Sequence, residues 1–140
     1  MKILKFPFWF TNGRTQILWQ TSYHDRYLPE KTYTIPLPYI EMNHQDAAKI
    51  GIKSGDMVEV FNMDGNVVTV VYVNDSPPPG MVFGLMYHPE GSLNHLTTSY
   101  TDPKTTIPWY KASRVGIRKL SGPIEGVIKN TSFLPINDWR

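Results

Sequence analysis

Asn12, Gly13 and Arg14 stand together early in the chain, and Trp19, Gln20, Tyr23 and His24 follow soon after. An Asn-Gly turn lets backbone N–H groups approach an anion closely. Arg14 can make a forked, charge-assisted contact with a phosphate. Gln20, Tyr23 and His24 can read the edges of a heterocycle, and Trp19 can pack on its face. The same residues also suit a plain hairpin turn beside a core tryptophan, and residue types alone leave both readings open.

Two further regions carry polar chemistry. "GSLNHLTTSYTD" (91–102) is a loop dense in amide and hydroxyl groups. Lys104, Lys111, Arg114, Arg118 and Lys119 crowd one late segment with only Asp102 beside them. A phosphate-bearing partner suits such a segment, and so does a solvated basic face. A hydrogen-bond-rich ligand with several phosphates would use all three regions at once.

Catalytic patterns are missing. There is no Walker loop, no G-x-G-x-x-G and no G-x-S-x-G. His24, His44, His88 and His95 show no metal-ligand spacing, and no carboxylate pair declares a general acid and base. The chain has no cysteine, which excludes Cys-held zinc, iron–sulfur clusters and thiol catalysis within it. Gly91-Ser92 has the form of a self-cleaving pyruvoyl site, but nothing around it supports that, and a turn is expected. Asn74-Asp75-Ser76 and Asn130-Thr131-Ser132 match the glycosylation pattern, which is common by chance.

The elements that must position these residues are mostly strands. "TQILWQT" (15–21) is a strand candidate, and 28–38 holds three prolines and reads as an irregular connection. "YIEM" is a short strand. "NHQDAAKIG" (43–51) reads as one short helix, with Asn43 as N-cap, Asp46 in the first turn and Gly51 just past the end. Gly55 suits a turn at positive φ. Asp64-Gly65 between two β-branched runs is a strong hairpin signal. "NDSPPPG" is a stiff loop, "MVFGLMY" the next strand, and "ASRVGIRKL" (112–120) a further one. Gly84 within a strand points to a bulge or a close backbone approach. No internal repeat is visible. One helix leading into a tight hairpin among short strands fits a small closed barrel, which also removes bare sheet edges.

Bulk properties agree. A chain of 140 residues, 41% hydrophobic and 19% charged, suits one globular domain with its own core. Twelve prolines and ten glycines call for short elements and many turns. No apolar run reaches the ~18 residues of a membrane span. "MKILKFPFWF" is interrupted by Pro7 and lacks a small-residue cleavage site, so 1–10 reads as a leading segment, with "FPFWF" (6–10) as a candidate docking face or, alternatively, a stretch folded back on the barrel.

Three blocks in order, "NGRTQILWQTSYHDRY", "YIEMNHQDAAKIGIKSGDMVEVFNMDGNVV" and "TTSYTDPKTTIPWYKASRVGIRKL", resemble the C-terminal domain of molybdopterin oxidoreductases, with a particular likeness to the arsenite oxidase large subunit. The resemblance spans about 11–120 and leaves 121–140 as an unassigned C-terminal tail. It implies a mainly β fold, a double-psi β-barrel of six strands closed on themselves with one or two short helices. It implies a ligand, molybdopterin guanine dinucleotide, in the complete enzyme rather than on the isolated chain. The cofactor-binding residues it implies are Asn12, Gly13, Arg14, Gln20, His24, Asn94, Thr97 and Lys111, lining one concave surface. Arg14 would meet a phosphate or a pterin carbonyl, Asn94 and Thr97 would lie over the dinucleotide, and Lys111 would neutralise phosphate.

By the same resemblance, the metal, the iron–sulfur cluster and most substrate contacts belong to other domains. The chain would bind and orient rather than catalyse, as a fragment of a longer subunit, a separately encoded cofactor domain or a remnant of one. Its partners would be the remaining domains or subunits, with self-association through a bare docking face as a further expectation and no role for nucleic acid. Its location would be cytoplasmic, or extracytoplasmic if assembled with an exported enzyme. The alternative is a stand-alone double-psi barrel acting as a protein- or nucleic-acid-interaction module.

Overall fold

A computed structural model of the chain describes residues 5–16, 27–28, 35, 37–88 and 91–122. Six strands close into a barrel: β1 (Phe8–Gly13), β2 (Tyr39–Asn43), β3 (Met57–Phe61), β4 (Asn66–Asn74), β5 (Met81–Leu85) and β6 (Ser113–Ser121). A helix α1 (His44–Ile50) joins β2 to β3, and a 3-10 helix, Leu93–Leu96, lies between β5 and β6. Around the barrel the order is β1-β5-β2-β4-β3-β6.

That order has an internal two-fold logic. Exchanging β1 with β4, β2 with β5 and β3 with β6 returns the same barrel. The parallel pair β1/β5 matches the parallel pair β4/β2, and every other pairing is antiparallel. Each half thus threads one strand beside a strand of the other, which gives the two interlocked crossings of a double-psi β-barrel. The expected fold is the one observed.

The strands follow from side-chain alternation. Phe8, Phe10 and Asn12 point inward from β1, and Trp9 points out. Ile40, Met42, Val58, Val60, Val71, Val82 and Val115 fill the interior, each under 2% exposed, and Leu93 and Leu96 of the 3-10 helix join them. Gly84 is required by this packing: a Cβ there would lie 2.6 Å from Leu93 Cδ1 and 2.9 Å from Phe10 Cε2. This is the close approach expected from a glycine within a strand.

α1 is bounded as its sequence dictates. Asn43 Oδ1 accepts from the Gln45 N–H at 2.9 Å. Gly51 takes φ 71°, and the N–H of Ile52 closes back on the Ala47 carbonyl at 2.9 Å. Gly55 also takes positive φ, at 91°. The β3–β4 hairpin turns at Asn62–Gly65, where Asn62 Oδ1 accepts from the N–H groups of Asp64 and Gly65.

The start of the chain differs from expectation. Part of the 1–10 segment is barrel, because β1 begins at Phe8. Of the apolar stretch 6–10, Phe8 and Phe10 are buried and Phe6 packs edge-on against Phe61 at 6.0 Å. Trp9 alone is a large bare aromatic there, and the Arg114 guanidinium sits 4.4 Å from its ring centre. The proposed docking face is therefore reduced to one stacked side chain. The strand expected at 15–21 lies outside the described residues from 17 onward, and Thr15 and Gln16 are not in a strand.

Candidate functional site

The end of β1 brings together residues far apart in sequence. Asn12 is the last inward side chain of β1 and is 1% exposed. Its Nδ2 donates to Asn94 Oδ1 at 2.6 Å. The Lys111 ammonium donates to the Asn12 carbonyl and lies 3.4 Å from Asn12 Oδ1. Three of the residues singled out in sequence thus form one connected polar corner. Gly13 and Arg14 continue the chain from it, and Arg14 is exposed to solvent.

Gly13 is packed against a ring. A Cβ there would sit 2.6 Å from Phe83 Cε2, and its carbonyl accepts from the Met86 N–H at 2.9 Å. The chain can therefore leave the barrel tightly at this point. Thr97 caps the 3-10 helix, its N–H donating to the Asn94 carbonyl at 3.1 Å. Its hydroxyl oxygen is buried and has no hydrogen-bond partner among the described residues. A buried hydroxyl without a partner is costly, so it fits a site where a ligand group supplies the bond. Gln20 and His24, with Trp19 and Tyr23, lie outside the described residues.

The 3-10 helix is held from several sides. Ser92 Oγ donates to the Met86 carbonyl at 2.8 Å and accepts from the Asn94 N–H at 3.2 Å. Ser113, buried at the start of β6, accepts from the Thr98 N–H at 3.0 Å. Asn62 in the β3–β4 turn donates through Nδ2 to the Leu96 carbonyl at 2.7 Å. Of these three only Ser92 is named in the sequence reading, within the turn expected at Gly91-Ser92, and none is expected as a support of the site. Ser92 carried a local signal, a serine two places before an asparagine; Asn62 and Ser113 act across the fold and carried none.

The basic segment is dispersed. Arg118 pairs with Glu59, and Lys119 lies 3.0 Å from the buried Asp56. Arg114 covers Trp9. Only Lys111 of this cluster bonds to the polar corner. Four of the five cations thus do not join it.

A second concavity lies on the α1 side of the barrel. An open groove of about 1200 Å³ is lined by Glu41, His44, Ile52, Lys53, Tyr72 and Asp75, among others. Burial holds the Glu41 carboxyl above its usual range, opposed by a hydrogen bond with Asn74. Burial also pushes the Tyr39 hydroxyl up to about 12, helped by the Glu41 charge and opposed by a bond with Thr15. Tyr39 and Tyr72 meet edge to face at 5.2 Å. None of the sequence-predicted site residues that the structure describes lines this groove. Among the described residues no group of three or more His, Asp or Glu could hold a metal ion.

The protein-family model described as "Molydopterin dinucleotide binding domain" matches residues 8–114, most of the chain. The chain belongs to the molybdopterin dinucleotide-binding domain family. It is 37% identical over 128 residues to arsenite oxidase subunit AioA of Herminiimonas arsenicoxydans, covering 91% of this chain and 15% of that protein. It is 30% identical over 115 residues to the periplasmic nitrate reductase of Desulfovibrio desulfuricans, covering 82% of this chain and again 15% of the relative. The domain therefore spans about one seventh of the length of these molybdoenzymes. Acetylene hydratase from Pelobacter acetylenicus shares the fold, with a TM-score of 0.72 at 16% identity over 85% of this chain and 19% of its own. The expected family stands, and the likeness to AioA runs over a longer stretch than 11–120.

Among the described residues no helix is long and apolar enough to cross a membrane.

Proposed function

We propose that this molybdopterin-binding domain takes the guanine dinucleotide form of the cofactor and orients it within an arsenite oxidase-like enzyme. The observation that carries this reading is the polar corner where Asn12, Asn94 and Lys111 meet beside Arg14. When bound, the cofactor's metal centre would supply the two-electron and oxygen-atom chemistry of such an enzyme.

The residues of this chain have binding and positioning tasks. Arg14 is free to fork onto a phosphate. Lys111 adds a cation while holding the β1 end through the Asn12 carbonyl. Asn94 has spent its amide oxygen on Asn12, so its Nδ2 hydrogens are left to face a ligand acceptor. The buried Thr97 hydroxyl offers one more donor and acceptor. Gly13 keeps the backbone thin where the chain leaves the barrel. Gln20 and His24 are assigned to the ring edges by the same reading.

On this reading the corner supplies one wall of the site. In a domain of a larger enzyme, partner domains supply the opposite wall. The isolated chain should accordingly bind guanine nucleotides weakly, because one face alone does not offset the costs of association. The test is a titration of the purified chain with a guanine dinucleotide at low salt, followed by backbone NMR. Shifts should cluster on Asn12, Gly13, Arg14, Asn94, Thr97 and Lys111 and shrink as salt is added. Shifts confined to the groove around Glu41 and Lys53 would overturn the assignment.

A further inference from the structure

We infer that the hairpin Tyr100–Tyr110 is a preformed docking arm that seats this domain on the body of a molybdopterin oxidoreductase. The inference rests on the proposed role of the chain as one domain of such an enzyme.

The arm is ordered by its own backbone. Thr101 bridges to Pro108, the Asp102 N–H donates to the Ile107 carbonyl at 3.0 Å, and the Trp109 N–H to the Tyr100 carbonyl at 3.3 Å. The Asp102 carboxylate accepts from the N–H groups of Lys104 and Thr105 and from the Thr105 hydroxyl, and these bonds hold its pKa below the usual range. Thr106 takes φ 57°, a left-handed conformation that costs a β-branched residue energy and persists only where its surroundings fix it.

This fixed loop shows solvent the wrong side chains for a free surface. Tyr100 is 76% exposed, Ile107 58% and Trp109 61%. Tyrosine and tryptophan on a rigid support lose little entropy on binding and are enriched at the anchors of protein interfaces. Contiguous bare apolar surface on a soluble chain marks an interaction site.

The composition of the arm states what the partner offers. The Asp102 carboxylate and the exposed Lys104 oppose each other in charge, so the bare aromatic and aliphatic side chains set the character of the arm's outer face. The complementary surface is an apolar recess. The relatives say where such a recess belongs, since the domain makes up 15% of their length and must contact the remainder. Lys111, the residue directly after the arm, bonds the Asn12 carbonyl, so the base of the arm is tied to the polar corner.

The test places the photo-crosslinker p-benzoylphenylalanine at Trp109, and separately at Tyr100, in the full chain expressed in its source cell. The same group at Met63, 85% exposed at the β3–β4 turn, is the control. Irradiation should link positions 100 and 109 to peptides of a molybdopterin oxidoreductase polypeptide outside residues 1–140, and should leave position 63 without that product. Links to a second copy of residues 1–140, to an unrelated protein, or to nothing would overturn the inference. The guanine dinucleotide titration reports separately on the cofactor reading. Its failure beside the expected crosslinks would remove that reading and leave the docking arm in place.

Discussion

β1 and β4 hold equivalent places in the two halves of the barrel, yet their interior rows end differently. The row on β1 runs Phe8, Phe10, Asn12, whereas the row on β4 runs through Thr69 and Val71 to the half-buried Val73. The connections that follow the two central strands differ in the same sense. α1 is closed on itself by Asn43 and Gly51, and its buried Asp46 is spent on the Gly80 N–H. The 3-10 helix instead presents Asn94 to Asn12 and leaves the Thr97 hydroxyl without a partner among the described residues. One half spends its polar groups on structure and the other holds some in reserve. This break in the two-fold frame is what favours the proposed placement of the ligand at the β1 corner.

The largest effect should come from the shared interior. Phe10→Ala removes a fully buried ring from the row that ends at Asn12, and should cost about 3–5 kcal/mol in urea unfolding. A loss near that of a surface change would mean that β1 is not part of the core.

Asn12→Val makes β1 resemble β4. It leaves Asn94 Oδ1 without its donor and Lys111 without the amide oxygen, so it should cost about 1–3 kcal/mol and abolish nucleotide shifts at Asn94. A neutral change in both readings would make the polar corner a dispensable accident of packing.

What the sequence disclosed follows the range of the signals. The ends of α1, the turn at Asp64-Gly65 and the crowding at Gly84 are set by residues within a few positions or by one strand's neighbours. They were readable for that reason. The link from Lys111 to Asn12 spans 99 positions and depends on β1 and β6 becoming neighbours, which no local pattern encodes. The two-fold relation of the strands was invisible because many apolar residues can fill equivalent interior places. For 6–10 the structure takes the alternative of folding onto the barrel: alternation begins just after Pro7 and buries Phe8 and Phe10. Arg118 and Lys119 belong to a basic segment that by sequence suits either a phosphate or solvent, and the pairing of β6 with β3 instead sets Glu59 and, just before β3, Asp56 beside them.

The smallest effect concerns the groove on the other side. Burial raises the Glu41 pKa in the folded state above its ordinary 4.5, so the fold takes up that proton more readily than the unfolded chain does. The resulting stability is fully present below 4.5 and is lost as pH rises through the raised value. Glu41→Gln should flatten that decline in denaturation measured across the same window. An unchanged pH profile would remove Glu41 as its source.

The central claim is that the guanine dinucleotide belongs at the corner of β1 and not in the α1 groove. It is tested most directly by comparing Arg14→Ala with Lys53→Ala, two exposed cations removed from the two regions. Both variants should keep wild-type stability, since surface changes of this kind stay within about 0.5 kcal/mol. Dinucleotide affinity at low salt should fall at least about tenfold in Arg14→Ala, in keeping with a charge-assisted bond of about 1.5–3 kcal/mol, and stay at the wild-type value in Lys53→Ala. Loss of affinity in Lys53→Ala with Arg14→Ala unchanged would contradict the account.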